Sequence, residues 1–375
     1  MQITPSEVQK QIFSTAMLIN LSEMFPGVSS DAATANTSQL INDILSSAEI
    51  SSFIGNWNAV WGPYVVVSDI LNTENQPLNS LYIACNKDIT PGFNTYLVGI
   101  AGTDGPSLDT WIFEDFDVAF TNALPNTPDA PNGAPATSRI ANGTGNALND
   151  LLSMGVDQPG GSALAYLKNN VMPGDVIYVC GHSLGGTLTP VISTYVYAQL
   201  PNNKIYSMPI ASSATANPDF VNYYNSIFQA GPNPGNESIP FWNENDVAPN
   251  CFDDSTLVNL VNIFGPDISI TALEFVCIEA LTLAGGLNGY TQIAPYCQFP
   301  HANYPLSDQP PGSTNTWVDQ AKCQHVAPYG EALSWPDYLC LVTSLANALV
   351  ASTIISGTTL KYTFFTAGCG PQCGI

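Results

Sequence analysis

Ser183 sits in the run Gly181-His182-Ser183-Leu184-Gly185-Gly186, after the β-forming stretch 175–180 and at the head of a helix-like segment. Gly-x-Ser-x-Gly at a strand-to-helix turn is the sequence form of a nucleophile elbow. The chain reverses so sharply there that glycines are needed where a β-carbon would clash. The serine hydroxyl is then left above the sheet edge, at the positive end of the following helix. The alternative is a tight glycine turn with no chemistry. A serine hydroxyl is a weak nucleophile by itself and needs an adjacent base. The chain has only three histidines, so the search is short. His182 adjoins the serine, and its side chain is expected to point elsewhere. His301, in Phe299-Pro300-His301, and His325, in Cys323-Gln324-His325, remain. The base in turn needs a carboxylate to fix its tautomer. Asp246 follows the strand-like run 238–242 and precedes the turn Val247-Ala248-Pro249. That placement delivers it to the C-terminal edge of a sheet, where open α/β sheets bind ligands; a solvated turn aspartate is the bland alternative.

The elements that must position these residues alternate along the chain. Runs 80–85, 95–101, 175–180, 204–211 and 238–242 read as strands, with a turn over 88–92 between the first two. Runs 141–154, 162–170, 183–200 and 219–228 read as helices. Such alternation implies an α/β fold with a mostly parallel central sheet and helices on its faces. Towards the N-terminus, Thr4 caps a helix with Pro5 in its first turn and Glu7 closing a capping box, and a second helix covers 38–47. Residues 122–136 read as an exposed loop. Beyond Asp246, runs 254–264 and 268–284 are helix-like and 285–322 is irregular. The apolar run 335–352 reads as a core helix, its Ser, Thr and Asn content arguing against a membrane span. One domain over 1–375 is expected. Residues 1–75 form a helical N-terminal extension, and 250–375 form a helical, loop-rich, cysteine-containing part that carries the histidine.

Composition narrows the partners. Seven Lys plus Arg against 30 Asp plus Glu leave a net charge of −23, which argues against nucleic acid and anionic membrane surfaces. Adsorption to a neutral lipid surface through apolar residues stays open. Of nine cysteines, Cys180 reads as a free core thiol before the elbow. The other eight, Cys85, Cys251, Cys277, Cys297, Cys323, Cys340, Cys369 and Cys373, are available for disulfides. Clustered cysteine with little lysine suggests a secreted protein. No signal peptide is visible, and a cytoplasmic or effector-delivered protein is the alternative. A zinc site is not expected: Cys369/Cys373 and Cys323/His325 have loosely suitable spacing, but no second pair completes four ligands.

Four stretches carry a resemblance, in order. They are Val98-Gly99-Ile100-Ala101-Gly102-Thr103; the elbow Gly181 to Gly186; Met208-Pro209-Ile210-Ala211-Ser212 with Asn217-Pro218-Asp219-Phe220; and Asn243-Glu244-Asn245-Asp246-Val247-Ala248-Pro249. Together they resemble the class-three, fungal-type lipase family of the α/β-hydrolase fold. The match spans about residues 80–250. Ala101 stands where the family has Arg, and Ala248 where Val is usual. The resemblance implies Ser183 as nucleophile and Asp246 as the acid. It implies backbone N–H groups of Leu184 and Thr103 as the oxyanion hole. His325-Val326-Ala327-Pro328-Tyr329 is similar to the family's His-x-x-x-Tyr and favours His325 over His301 as the base. In the lid position of the family stands 107–118, where Leu108, Trp111, Ile112 and Phe113 form an apolar surface; an ordinary amphipathic helix is the alternative.

These readings converge on a serine hydrolase that cleaves carboxylic esters of lipids through an acyl-enzyme, without metal or cofactor. Its substrate is a lipid or ester, and a lipid–water interface is one place where it would be met. A monomer with no transmembrane segment is expected. A phospholipase acting as a secreted effector is the alternative enzyme, and a non-catalytic binding protein on the same scaffold is the remote one.

Overall fold

The computed structural model describes residues 4–68, 76–102, 117–125, 129–131, 133–229, 235–257, 260–265, 268, 270–293, 297–299 and 316–353. Among them are ten strands: β1 (Trp57–Ser68), β2 (Gln76–Asn86), β3 (Thr95–Ile100), β4 (Thr121–Ala123), β5 (Arg139–Ala141), β6 (Val176–His182), β7 (Lys204–Ile210), β8 (Glu237–Ser238), β9 (Phe241–Asn243) and β10 (Cys297–Phe299). Eight of them form one sheet in the order β1-β2-β3-β6-β7-β9-β10, with β8 also on β7, while β4 and β5 pair apart. The β1-β2-β3 edge is antiparallel. From β3 through β10 every pairing is parallel.

Parallel strands are covered on both faces, so they read as unbroken apolar runs, and β3 and β6 are buried along their whole length. The two-residue alternation of a strand sorts their side chains into two cores. Leu81, Ile83, Val98, Ile100, Ile177 and Val179 face one core, shared with Leu148, Leu164, Leu188 and Phe220. These last four belong to the helices Asn142–Ser153, Ala163–Asn170, Leu184–Gln199 and Pro218–Phe228. Tyr82, Ala84, Leu97, Tyr178 and Cys180 face the other core, shared with Ile12, Ile41, Ile50, Tyr329 and Tyr338. That second layer comes from the two ends of the chain: Glu7–Ala16, Ser30–Leu45 and Ala48–Ile54 from one, Trp317–Leu333 and Pro336–Thr353 from the other.

Several local expectations are corrected. The first helix is capped by Ser6, not Thr4: Ser6 Oγ accepts from Gln9 N–H and Gln9 Oε1 accepts from Ser6 N–H, so Gln9 closes the box in place of Glu7. The second helix starts at Ser30, and Ser47 caps a third, where one helix over 38–47 was expected. The N-terminal region is not all helical, since β1 runs through 57–68. Run 238–242 is split into β8 and β9 at Ile239-Pro240, because proline has no N–H to give to a ladder. The irregular stretch expected over 285–322 ends early, as the helix Trp317–Leu333 begins within it. Cys85 and Cys251 are buried free thiols like Cys180, so fewer than eight cysteines are available for disulfides. No helix among the described residues is long and apolar enough to cross a membrane.

The N-terminal layer is fastened to the sheet by buried polar contacts as well as by apolar packing. Tyr82 Oη donates to the Thr15 carbonyl at 2.5 Å, and Tyr338 Oη donates to the Ser14 carbonyl at 2.8 Å. Ser80 Oγ reaches Ser22 Oγ at 3.0 Å. Removing the Tyr82 hydroxyl breaks the tie from the sheet and leaves the Thr15 carbonyl only the Met17 N–H of its own helix end. Tyr82→Phe is therefore expected to lower the unfolding free energy by about 0.5–1.5 kcal/mol in urea titration; an unchanged midpoint would contradict this fastening.

Candidate active site

Ser183 occupies the turn between β6 and the helix Leu184–Gln199 with φ 61° and ψ −124°. A non-glycine residue with positive φ outside a cap is strained, and such strain persists only where the surroundings impose it. Here the surroundings are backbone at close range. A β-carbon on Gly181 would lie 2.5 Å from the Gly185 carbonyl, and one on Gly185 would run into the Ile100 carbonyl. The turn is held by Ser183 N–H donating to the Ile210 carbonyl at 3.0 Å, and by Thr187 N–H donating to the Ser183 carbonyl at 2.9 Å. The side chain is buried, and Ser183 Oγ has no hydrogen-bond partner among the described residues. A buried hydroxyl left without a partner requires a reason. Leu184, the first residue of the helix, has an N–H with no intrahelical acceptor.

Asp246 is fully buried and caps the short helix Val247–Asn250, where its Oδ1 accepts from Ala248 N–H at 3.0 Å. Two further donors converge on the carboxylate. His325 Nδ1 lies 2.9 Å from Oδ1 and 3.0 Å from Oδ2, and Tyr329 Oη donates to Oδ2 at 2.7 Å. A carboxylate only accepts, so the Nδ1 contact places the proton on Nδ1 and leaves Nε2 as the basic nitrogen. Burial and the neighbouring Asp246 charge push the Tyr329 phenol well above its ordinary range, which keeps it a donor. Its oxygen also accepts from Asn243 N–H at 3.0 Å.

Both His325 and Tyr329 lie on the helix Trp317–Leu333, four residues apart and therefore on one face. Pro328 stands inside that helix. Having no N–H, it cannot satisfy the carbonyl four residues earlier, that of Gln324. Asn243 Nδ2 takes that carbonyl at 2.8 Å and also reaches Gln324 Oε1 at 2.9 Å. The broken helical bond thus becomes the attachment of the helix to the acid loop.

His182 supplies the connection to the elbow. Its Nε2 lies 2.7 Å from the His325 carbonyl, and the two rings sit 4.6 Å apart. A carbonyl cannot donate, so His182 Nε2 carries the proton. Burial and, next, the nearby His325 hold the His182 ring well below the ordinary imidazole range, against the opposing pull of the carbonyl. On the far side, Ser213 N–H donates to Thr187 Oγ1 at 3.1 Å and Ser213 Oγ donates to the Ala248 carbonyl at 2.9 Å. Elbow, acid loop and histidine helix are therefore cross-linked by side chains.

Of the residues singled out in the sequence, Ser183, Leu184, Asp246 and His325 are brought to one edge of the sheet. Thr103, Leu108, Trp111, Ile112, Phe113 and the rival His301 lie outside the described residues. Three contributors had no role assigned to them from the sequence. Tyr329 and Asn243 stand in the stretches that carry the resemblance, but their contacts with the acid loop and the histidine helix span about 80 residues. The His182 side chain turns to the backbone of His325.

The depressed His182 ring makes stability pH-dependent. The unfolded chain protonates this residue near pH 6.5, about its reference value, whereas the folded protein does so only at lower pH. Its contribution is complete above that value and is lost as pH falls, by at most about 1.4 kcal/mol per pH unit. His182→Gln, which cannot titrate, is expected to flatten the fall in urea-unfolding free energy between pH 6 and pH 5. An unaltered slope would contradict the assignment.

Residues 97–255 match the model of the class 3 lipase family. The chain is similar in structure to M37 lipase, with a TM-score of 0.67 at 20% identity over 90% of this chain and 97% of that one. A triacylglycerol lipase from Penicillium expansum has a TM-score of 0.39 at 13% identity, over 74% of this chain and 82% of its own. A Rhizomucor miehei lipase in complex with its propeptide has a TM-score of 0.37 at 15% identity, over 67% and 63%. No curated protein sequence matches. The family match runs from β3 through the elbow to the acid loop, and the M37 lipase likeness extends the same fold over most of the chain. Residues 97–255 thus carry the class 3 lipase pattern, within an ester-hydrolysing enzyme of α/β-hydrolase fold.

Proposed function

We propose that this lipid ester hydrolase works through Ser183, His325 and Asp246 as nucleophile, base and acid, and that its substrates are acylglycerols and related carboxylic esters. One observation carries the reading. His325 bonds Asp246 through Nδ1 at 2.9 Å while its backbone is held by the residue next to Ser183. His325 Nε2 takes the Ser183 proton as the hydroxyl attacks the ester carbonyl. Asp246 stabilises the imidazolium, which then protonates the departing alcohol. Water enters, gives a proton to Nε2 and cleaves the acyl-enzyme, regenerating Ser183. The developing oxyanion is met by the N–H of Leu184 and, on the family pattern, by that of Thr103.

The lipid half of the reading is supported by the surface. Among the described residues eight large apolar side chains are exposed, and four of them, Phe275, Val276, Leu283 and Leu287, lie on the helix Ala272–Asn288. An apolar concentration of that kind marks an interaction surface. The helix stands beside the proposed site. Gly285 packs on the Phe252 backbone, and Gln292 just beyond donates to the carbonyls of Ser212 and Pro249. Only acidic charges, Glu274 and Glu279, occur on it, which favours an uncharged lipid surface over an anionic one. The low lysine content and the clustered cysteines support a location outside the cell.

Two experiments test these statements. Ser183→Ala and His325→Ala are each expected to lower kcat on a p-nitrophenyl ester by about 10⁴–10⁶-fold, and Asp246→Asn by about 10⁴-fold. Loss of turnover in His301→Ala but not in His325→Ala would overturn the choice of base. The double variant Leu283→Glu, Leu287→Glu is expected to lose at least about tenfold of its activity on emulsified triacylglycerol, while hydrolysis of a water-soluble butyrate ester is retained. Equal activity on the emulsion would contradict an apolar docking face.

A further inference from the structure

We infer that Asn20 is a positioning residue for the nucleophile: it holds the end of β3, at Gly102, against the elbow that carries Ser183. This rests on the triad reading above.

β3 leaves the sheet at its C-terminal end. Ile100 is its last residue paired on both sides, with Leu81 and with Gly181. Ala101 N–H still donates to the Ser80 carbonyl at 3.0 Å. The next amide, that of Gly102, lies beyond the ladder in a buried place, and a buried N–H must find an acceptor. It finds Asn20 Oδ1 at 3.1 Å. The Gly102 N–H is thereby engaged, and the end of β3 is fixed by a side chain from the N-terminal layer.

Gly102 also touches the elbow. A β-carbon there would lie 2.8 Å from the His182 carbonyl and 3.2 Å from Ser183 Cβ. The clamp therefore acts at the contact between the end of β3 and the nucleophile, where a small displacement changes the distance between them. Ala101, buried against the N-terminal layer, offers only a methyl group from the strand itself.

Asn20 is itself held in one orientation. It lies in the eight-residue 3-10 run Met17–Met24, long for that kind of helix and buried through Ser22. Its Nδ2 faces Met17 Sδ at 3.8 Å, which assigns the amide oxygen to Gly102. The run is tied to the sheet by the Ser22–Ser80 contact at 3.0 Å. The N-terminal layer, which lies outside the family match, thus reaches the proposed site through one side chain.

The test uses kcat and KM on a soluble ester. Asn20→Leu keeps the volume and removes the acceptor. It is expected to lower kcat about 10- to 100-fold, with KM changed less than about threefold, because the elbow that Gly102 packs against no longer holds Ser183 in place for attack. Asn20→Asp keeps an acceptor oxygen and should recover kcat to within about fivefold of wild type. Should Asn20→Leu fail to fold, Asn20→Ser, too short to reach Gly102, gives the same reading. The inference is overturned if the variants lacking the acceptor keep kcat within about twofold, or if Asn20→Asp loses as much as they do. Ser183→Ala measured alongside separates the two levels: turnover surviving there rejects the triad reading, and the inference falls with it.

Discussion

The reversal of the chain at Ser183 is the constraint on which the other features depend. A residue at φ 61° between two glycines, each pressed against neighbouring backbone, cannot relax without separating β6 from β3. That closeness sets one buried hydroxyl at the sheet edge and starts a helix beneath it. On either side the parallel register of β3, β6 and β7 runs without interruption.

Around this point the histidine helix is attached through backbone carbonyls as well as by side-chain packing. The histidine helix is attached twice by its own carbonyls, at His325 to His182 and at Gln324 to Asn243. The second attachment exists because Pro328 leaves that carbonyl unused within the helix. The buried Asp246 carboxylate accepts from Ala248, His325 and Tyr329, so its burial is compensated by three donors from two elements. Such a network fixes the imidazole before substrate arrives, which is the condition for preorganised catalysis.

How much of this was legible in the sequence depended on how local each cause is. The elbow is a short-range matter of glycine sterics, and Asp246 follows a strand and precedes a turn, so both could be read from a few residues. β1 could not, because Gly62-Pro63 and the register shifts between Ala59 and Tyr64 break the alternation expected of a strand. The helix around His325 was hidden by Pro328 and Gly330, residues that oppose helix when taken alone and are overruled here by burial against the acid loop. Asn20 was invisible for a different reason. Its contact with Gly102 spans 82 residues, and neither end carries a local pattern. Contacts of that range belong to the tertiary structure, not to any window of sequence.

The central claim is that Ser183 is the activated nucleophile and His325 its base. Mass-spectrometric mapping of the adduct formed with a fluorophosphonate probe tests it most directly. The account predicts a single adduct on the peptide containing Ser183, formed by the native protein and lost in His325→Ala. An adduct on another serine, none on the folded native protein, or undiminished labelling without His325 would contradict it.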